Sequence, residues 1–443
     1  MTSATPPIVA LVGRPNVGKS TLFNRMIGAR RAVVEDEPGT TRDRSYGTLE
    51  WNDSTFLVVD TAGLHARGLD EVAIAAEDQA RIAVDQADLL VMVVDVTTSI
   101  TDQDATVASV LRKSGKPVVL AVNKCDSHQR AELVSEFHRL GMGEPVPVSA
   151  YHGNGVFELI DRMVKEIPEY PREEDDAPRP PHLAIVGRPN AGKSSLFNRL
   201  LGAERSLISD VPGTTRDSID TEMSYRGERV VLVDTAGLRR KGRVAQGVER
   251  HSVLRALASV RRCDVCLLVI DAAEGVTDQD AHIAGYALES MRGLAIVISK
   301  WDLMPKDSQS VARFEEELTY KFRFIGHAPI VKTSSVTGLN VGNVIPTGLQ
   351  VFERTRVQIP TSVLNRYLLD RAARRTPPSR RGRITRLRYS TQTGTNPPTF
   401  RLFFSDPRGI PRAYVRYLEN GLREQFGLQG ATVRMVVRGA KGR

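Results

Sequence analysis

The sequence predicts an α/β protein built twice over. Two tandem domains, each a mostly parallel sheet with helices on both faces, precede a small α+β domain. Three observations predict this. An octapeptide occurs as GRPNVGKS at Gly13 to Ser20 and as GRPNAGKS at Gly187 to Ser194, 174 residues later. PGTTRD (Pro38 to Asp43, Pro212 to Asp217) and DTAGL (Asp60 to Leu64, Asp234 to Leu238) recur at the same offset. TDQD (101–104, 277–280) and NKCD/SKWD (123–126, 299–302) recur at 176, so a whole domain is duplicated. Between the motifs, short apolar runs alternate with helical stretches, as strands and crossover helices do in a parallel sheet.

In the first copy the elements run as the strand IVALVG, a helix opening at Lys19, the strand FLVVD ending at Asp60, a helix over 77–86, the strand LLVMVVD, and PVVLAVNK. The second copy opens on LAIVG, and its CDVCLLVID is a buried strand in which Cys263 and Cys266 serve as small hydrophobes. Ligands of such sheets bind at the carboxyl ends of strands, and every repeated motif falls there. The proline-rich, acidic PEYPREEDDAPRPP (Pro168 to Pro181) reads as an extended spacer. The domain boundaries are therefore 1–167, a linker at 168–181, 182–355, and 356–443. The last segment reads as a helix over Thr361 to Arg374, an arginine- and proline-rich loop, strands ITRLRYSTQT and TFRLFFSD, a helix over Ala413 to Phe426, and a strand TVRMVV.

Three cysteines are too few for a disulfide framework, the start MTSATPP lacks a signal-peptide core, and no apolar run nears the ~18 residues of a membrane span. A soluble, cytoplasmic protein with no membrane partner is expected. The net charge of +9 is unevenly spread: residues 356–443 hold 19 Lys/Arg against 4 Asp/Glu, while the rest of the chain is acidic. That end suits a polyanion.

GxxxxGK[ST] is the loop whose backbone N–H groups cradle phosphates. Gly13, Gly18, Gly187 and Gly192 shape it, Lys19 and Lys193 reach the β- and γ-phosphates, Ser20 and Ser194 bring hydroxyls to a Mg²⁺ ion, and Thr21 and Ser195 beside them belong to the nucleotide site. Thr41 and Thr215 of PGTTRD are the additional Mg²⁺ ligands. Asp60 and Asp234 approach the ion through water, and the amides of Gly63 and Gly237 sense the γ-phosphate. Two loops per site thus depend on a third phosphate, which makes a switch.

NKCD chooses the base. Asp126 accepts paired hydrogen bonds from guanine, whereas adenine offers no such donor pair. Asn123 contacts N7, Lys124 lies over the ring, and Ser149 and Ala150 form the later turn whose amide meets guanine O6. Lys300 and Asp302, with Ser334 and Ser335, are the counterparts. GTP is the substrate and GDP the product.

With these residues the chain resembles the Der (EngA) family of double Era-like GTPases over essentially its full length, the C-terminal domain being KH-like. The resemblance implies Mg²⁺-dependent GTP hydrolysis, a role in assembly of the large ribosomal subunit or its precursor, and nucleotide-dependent association with ribosomal RNA by a monomer. Related potassium-stimulated GTPases hold K⁺ with the asparagine of GxPNxGKS, here Asn16 and Asn190; the alternative is that these residues only brace the loop. Glutamine, which orients water in many GTPases, is replaced by Leu64 and Leu238. In the second copy Ser299 replaces the asparagine of NKxD, and weaker guanine nucleotide affinity is expected there. A tRNA-modifying GTPase shares GRPNAGKS and GTTRD but carries a C-terminal cysteine, and this chain has none after Cys266.

In the C-terminal domain Arg371, Arg374, Arg375, Arg380, Arg381, Arg383, Arg386 and Arg388 are expected to form a positive surface, with Tyr367, Tyr389 and Phe400 available for stacking on RNA. A late GxxG, Gly439 to Gly442, lies in the tail. Arg239, Arg240, Lys241 and Arg243 form a second basic run after DTAGL.

Overall fold

The computed structural model describes residues 7–28, 46–51, 54–61, 83–84, 87–167, 179–203, 220–233, 252–305, 307–377 and 385–439. Thr41, Gly63, Thr215, Asp234, Gly237, most of the helix expected over 77–86, most of the linker, the basic run at 239–243, and Arg380, Arg381 and Arg383 lie outside the described residues. The chain divides into two compact units, Met1–Ala177 with Ala245–Ala258 and Pro178–Val244 with Ser259–Arg443.

The first unit is built on β1 (Ile8–Val12), β2 (Tyr46–Trp51), β3 (Ser54–Asp60), β4 (Leu89–Asp95), β5 (Val118–Asn123) and β6 (Val146–Pro147). Their order is β2-β3-β1-β4-β5-β6, parallel throughout except for β2 on the edge. The uniformly apolar sequences of β1 and β4 follow from cover on both faces, and every residue of both strands is buried. Helix Lys19–Gly28 sends Leu22, Phe23 and Met26 into the core beside Phe56, and helix Val156–Glu166 adds Leu159, Ile160 and Met163.

The second unit repeats the pattern with β7 (His182–Val186), β8 (Thr221–Tyr225), β9 (Glu228–Val233), β10 (Val265–Asp271), β11 (Gly293–Ser299) and β12 (Ile330–Lys332), in the order β12-β11-β10-β7-β9-β8. Here β8 is the antiparallel edge. Neither antiparallel strand carries a long apolar run, so neither stands out among the apolar runs of the sequence. Cys263 and Cys266 are buried; burial pushes the Cys263 thiol up to about 12 and raises Cys266 as well, which keeps both in the protonated form of a packing residue.

The C-terminal elements follow in the expected order: helix Thr361–Arg374, β13 (Leu387–Gly394), β14 (Thr399–Phe404), helix Arg412–Phe426 and β15 (Arg434–Gly439). β14 is central, antiparallel to β13 and parallel to β15. Phe400, Leu402 and Phe404 point to one side and pack with Leu364, Leu368, Leu418 and Leu422 of the helices. Helix Arg412–Phe426 comes so close to Arg371 that a Cβ at Gly421 would sit 2.1 Å from its Nε. Backbone bonds tie this domain to the preceding one: Leu294 N–H donates to Gly430 O (2.8 Å), Gly430 N–H to His327 O (2.9 Å) and Asn396 N–H to Thr355 O (2.8 Å).

Candidate nucleotide-binding sites

The loop after β1 turns sharply at Asn16, whose φ of 65° is matched by 61° at Asn190. Both side chains are exposed and, among the described residues, make no hydrogen bond. Gly18 allows a close approach to the base side: a Cβ there would lie 2.3 Å from Asn123 Nδ2. Lys19 is buried, with Nζ donating to Gly13 O (2.6 Å) and Arg14 O (2.8 Å). Burial draws its pKa down to about 8, and the nearby Asp60 charge only partly offsets this.

Ser20 Oγ donates to Asp60 Oδ2 at 2.5 Å, and Asp60 is wholly buried. A hydroxyl and a carboxylate converging on one point make the hard-oxygen donor pair that suits Mg²⁺.

The base end is assembled by side chains that bridge motifs. Asn123 closes β5 and donates from Nδ2 to Val17 O (2.8 Å), while its Oδ1 accepts from Ala150 N–H (2.9 Å). It thereby ties the phosphate loop to the later turn. The amide expected to meet O6 is thus engaged at Ala150, and the Ser149 amide is engaged too, with Asn154 O (2.9 Å). The Ser149 side chain acts on the carboxylate instead. Its Oγ donates to Asp126 Oδ1 at 2.6 Å and fixes one oxygen, while Arg130 holds the other at 3.1 Å. Lys124, at φ 67°, pairs through Nζ with Asp95 Oδ2 at 2.5 Å. Lys124 and Thr97 hold the Asp95 carboxyl below its ordinary value, although burial alone would raise it.

Sequence reasoning passed over Asp95 and its counterpart Asp271, which pairs with Lys300 at 2.6 Å. The signal was present: LLVMVVD and CLLVID both end on aspartate, 176 residues apart. Arg14 and Arg188 of the phosphate loops were also passed over. They pair with Asp104 (3.3 Å) and Asp280 (3.1 Å), the last residues of the two TDQD motifs.

The second site keeps the frame and loses ties. Lys193 Nζ donates to Arg188 O. Ser299 Oγ reaches Ala191 O at 2.5 Å and Ile270 O at 3.1 Å, so one hydroxyl replaces the loop half of the Asn123 bridge. Among the described residues nothing replaces the other half. Ser334 Oγ accepts from Thr337 N–H (3.1 Å) and does not touch Asp302, whose carboxylate has no partner among the described residues. The Trp301 ring is engaged within the protein, edge-on to Phe314 (5.9 Å) and under Lys332 Nζ (4.6 Å).

Comparison with known proteins finds the same family in both copies. The family described as "50S ribosome-binding GTPase" matches residues 8–124 and 182–300, and "KH-domain-like of EngA bacterial GTPase enzymes, C-terminal" matches 358–438. A protein named GTPase Der from Chloroflexus aggregans is 49% identical over 98% of both chains. The chain belongs to the Der family of GTPases. A second Der relative, from Caldanaerobacter subterraneus subsp. tengcongensis, is 45% identical over 96% of this chain and 97% of its own. Among solved structures, Era in complex with MgGDPNP and a segment of 16S ribosomal RNA matches 60% of this chain at 20% identity with a TM-score of 0.30, too loose to carry an argument. As a Der-family member the protein binds GTP and is a GTPase. Among the described residues no helix is long and apolar enough to cross a membrane.

Proposed function

We propose that the protein is a cytoplasmic, monomeric GTP-driven switch that acts in assembly of the large ribosomal subunit and joins ribosomal RNA in one nucleotide state. In this reading 1–167 and 182–355 each hydrolyse GTP to GDP with Mg²⁺ and K⁺, 168–181 is a spacer, and 356–443 contacts RNA. The observation that carries it is the Asp126 carboxylate, held at one oxygen by Ser149 and at the other by Arg130 beside a lysine pinned by Asp95. A carboxylate fixed in this way satisfies the paired donors of guanine and is left unmatched by adenine, a discrimination worth up to about 10⁴ to 10⁵. The family description, 50S ribosome-binding GTPase, supports the ribosomal partner.

Ser20 with Asp60, and Ser194 in the second site, would hold Mg²⁺, completed by Thr41, Thr215 and Asp234. When bound, the ion neutralises charge on the β- and γ-phosphates. Lys19 delivers an ammonium to the same oxygens in a setting with little competing water. The exposed, unengaged amides of Asn16 and Asn190 support the reading of each as a K⁺ ligand. Of the two sites the second, lacking the Asn123 bridge, is the weaker.

Turnover of GTP and ATP by the full chain, in KCl and in NaCl at equal ionic strength, tests the enzyme. GTP alone should be hydrolysed, faster in KCl; comparable ATP turnover would refute the base assignment, and equal rates in the two salts would remove the K⁺ role. Co-sedimentation with large ribosomal subunits in GDP and in a non-hydrolysable GTP analogue tests the switch, and equal binding in both would overturn it.

A further inference from the structure

The arginines and aromatics of the C-terminal domain sort into two groups once their neighbours are known. Arg371 lies over the Tyr417 ring (4.4 Å) and donates to Tyr417 O, Arg374 pairs with Asp370 (2.8 Å), and Arg423 with Glu419 (2.7 Å). Phe400 is fully buried, and Tyr367 Oη donates to Gly421 O (2.7 Å). Arg371, Phe400 and Tyr367 hold the helices to each other and to the sheet, so two of the three stacking aromatics read from the sequence are structural, while Arg374, Arg375, Arg386 and Arg388 of the expected positive surface are exposed.

The third aromatic, Tyr389, is on the sheet. Phe400, Leu402 and Phe404 of β14, with Met435 and Val437 of β15, face the helices. The alternate residues therefore face away. Register places Tyr389, Phe403 and Arg438 in one row across β13, β14 and β15, and Thr391, Arg401 and Val436 in the next. Tyr389 is 45% exposed, and its ring lies 5.9 Å from that of Phe403, tilted by 39°. Arg401 and Arg438 are exposed, and among the described residues neither has an acidic partner. The bonds to the second GTPase domain are made from Asn396 and Gly430, at the other end of these strands, so the row Tyr389–Phe403–Arg438 is left clear of that joint.

We propose that this outer sheet face is a binding site for single-stranded RNA, in which Tyr389 and Phe403 stack bases and Arg401 and Arg438 hold the flanking phosphates. The chemistry of the face selects the ligand. Two guanidinium groups without acidic partners call for an anion, and beside them the exposed Tyr389 ring with the half-buried Phe403 calls for a flat apolar face, which a splayed base supplies and an acidic peptide does not. A duplex hides its base faces in the stack and cannot use the rings. An area of two rows suits about two to three bases, as on other aromatic-bearing sheets. The inference rests on the ribosomal-RNA reading above and says where on the chain that contact is made.

The test uses the full chain and a fluorescein-labelled single-stranded RNA of mixed sequence, with the matching duplex as control, across a salt series. Tyr389→Ala should weaken single-strand binding about tenfold with an unchanged salt slope, and Tyr389→Phe should bind as the parent does. Arg401→Ala with Arg438→Ala should lower the salt slope by about one to two. Ultraviolet crosslinks from the bound strand should map to Tyr389 or Phe403. A parent that binds RNA while Tyr389→Ala and the double arginine variant bind it equally well overturns the site and leaves the RNA reading standing. A duplex bound as tightly as the single strand, with crosslinks elsewhere, overturns stacking. A parent that binds neither RNA nor ribosomal subunits removes both.

Discussion

Burial holds the Lys19 ammonium at about 8 against an ordinary 10.5, so between those values the unfolded chain binds more protons than the folded one and folding gains as pH rises through that window. Phosphates favour the charged form, so nucleotide binding there must take up a proton. In a Lys193→Ala background, which leaves only the first site, GDP affinity should fall from pH 7 to pH 9, and the heat of binding at pH 9 should depend on the ionisation enthalpy of the buffer. Equal affinity at both would show that the lysine stays charged. Ser299 offers a second prediction. Ser299→Asn should restore the bridge that Asn123 makes, since Gly192 leaves room beside it as Gly18 does. One net hydrogen bond, about 1 kcal/mol, should tighten GDP binding about fivefold at the second site, measured by calorimetry in a Lys19→Ala background. No tightening would mean that the later turn is already set without it.

Helices Asp102–Lys113 and Asp278–Glu289 each open with a capping box, Thr101 with Asp104 and Thr277 with Asp280. The same aspartates grip Arg14 and Arg188, so each joins a helix start to a phosphate loop. Burial raises Asp280 above the ordinary carboxylate value despite these partners. Cap and brace can be separated. Thr101→Ala should cost about 1 kcal/mol, read as a lowered melting temperature, with GDP affinity unchanged. Asp104→Asn should weaken GDP binding by releasing Arg14. Parallel loss of affinity in both variants would show that the helix start, not the arginine, shapes the loop. The strands and phosphate loops were legible because their signal is local: an unbroken apolar run, then a fixed octapeptide. Arg14 with Asp104, Lys124 with Asp95 and Ser149 with Asp126 join residues up to 90 positions apart, and no period or spacing announces such pairs. The strand TFRLFF was also legible, but which face it buries was not; register with β13 and β15 turns Phe400 inward and Phe403 outward.

At the scale of the molecule, the C-terminal domain is fastened to the second GTPase domain through Leu294, His327 and Thr355. His327 sits in that seam with Nε2 buried and unbonded, and burial, with the like charge of Arg423, lowers it from 6.5 to about 3. The unfolded chain therefore binds more protons than the folded one between those values, and stability is lost as pH falls through 6.5. The melting temperature of the parent should drop from pH 7.5 to pH 5.5 by more than that of His327→Gln; equal drops would place the acid sensitivity elsewhere. The seam also gives β11 an unusual mechanical position. Near its start Leu294 is clamped to Gly430, and its last residue, Ser299, is clamped to Ala191 of the phosphate loop. A pleated strand hardly stretches, so β11 joins the phosphate loop to the C-terminal domain through roughly 20 Å of stiff backbone.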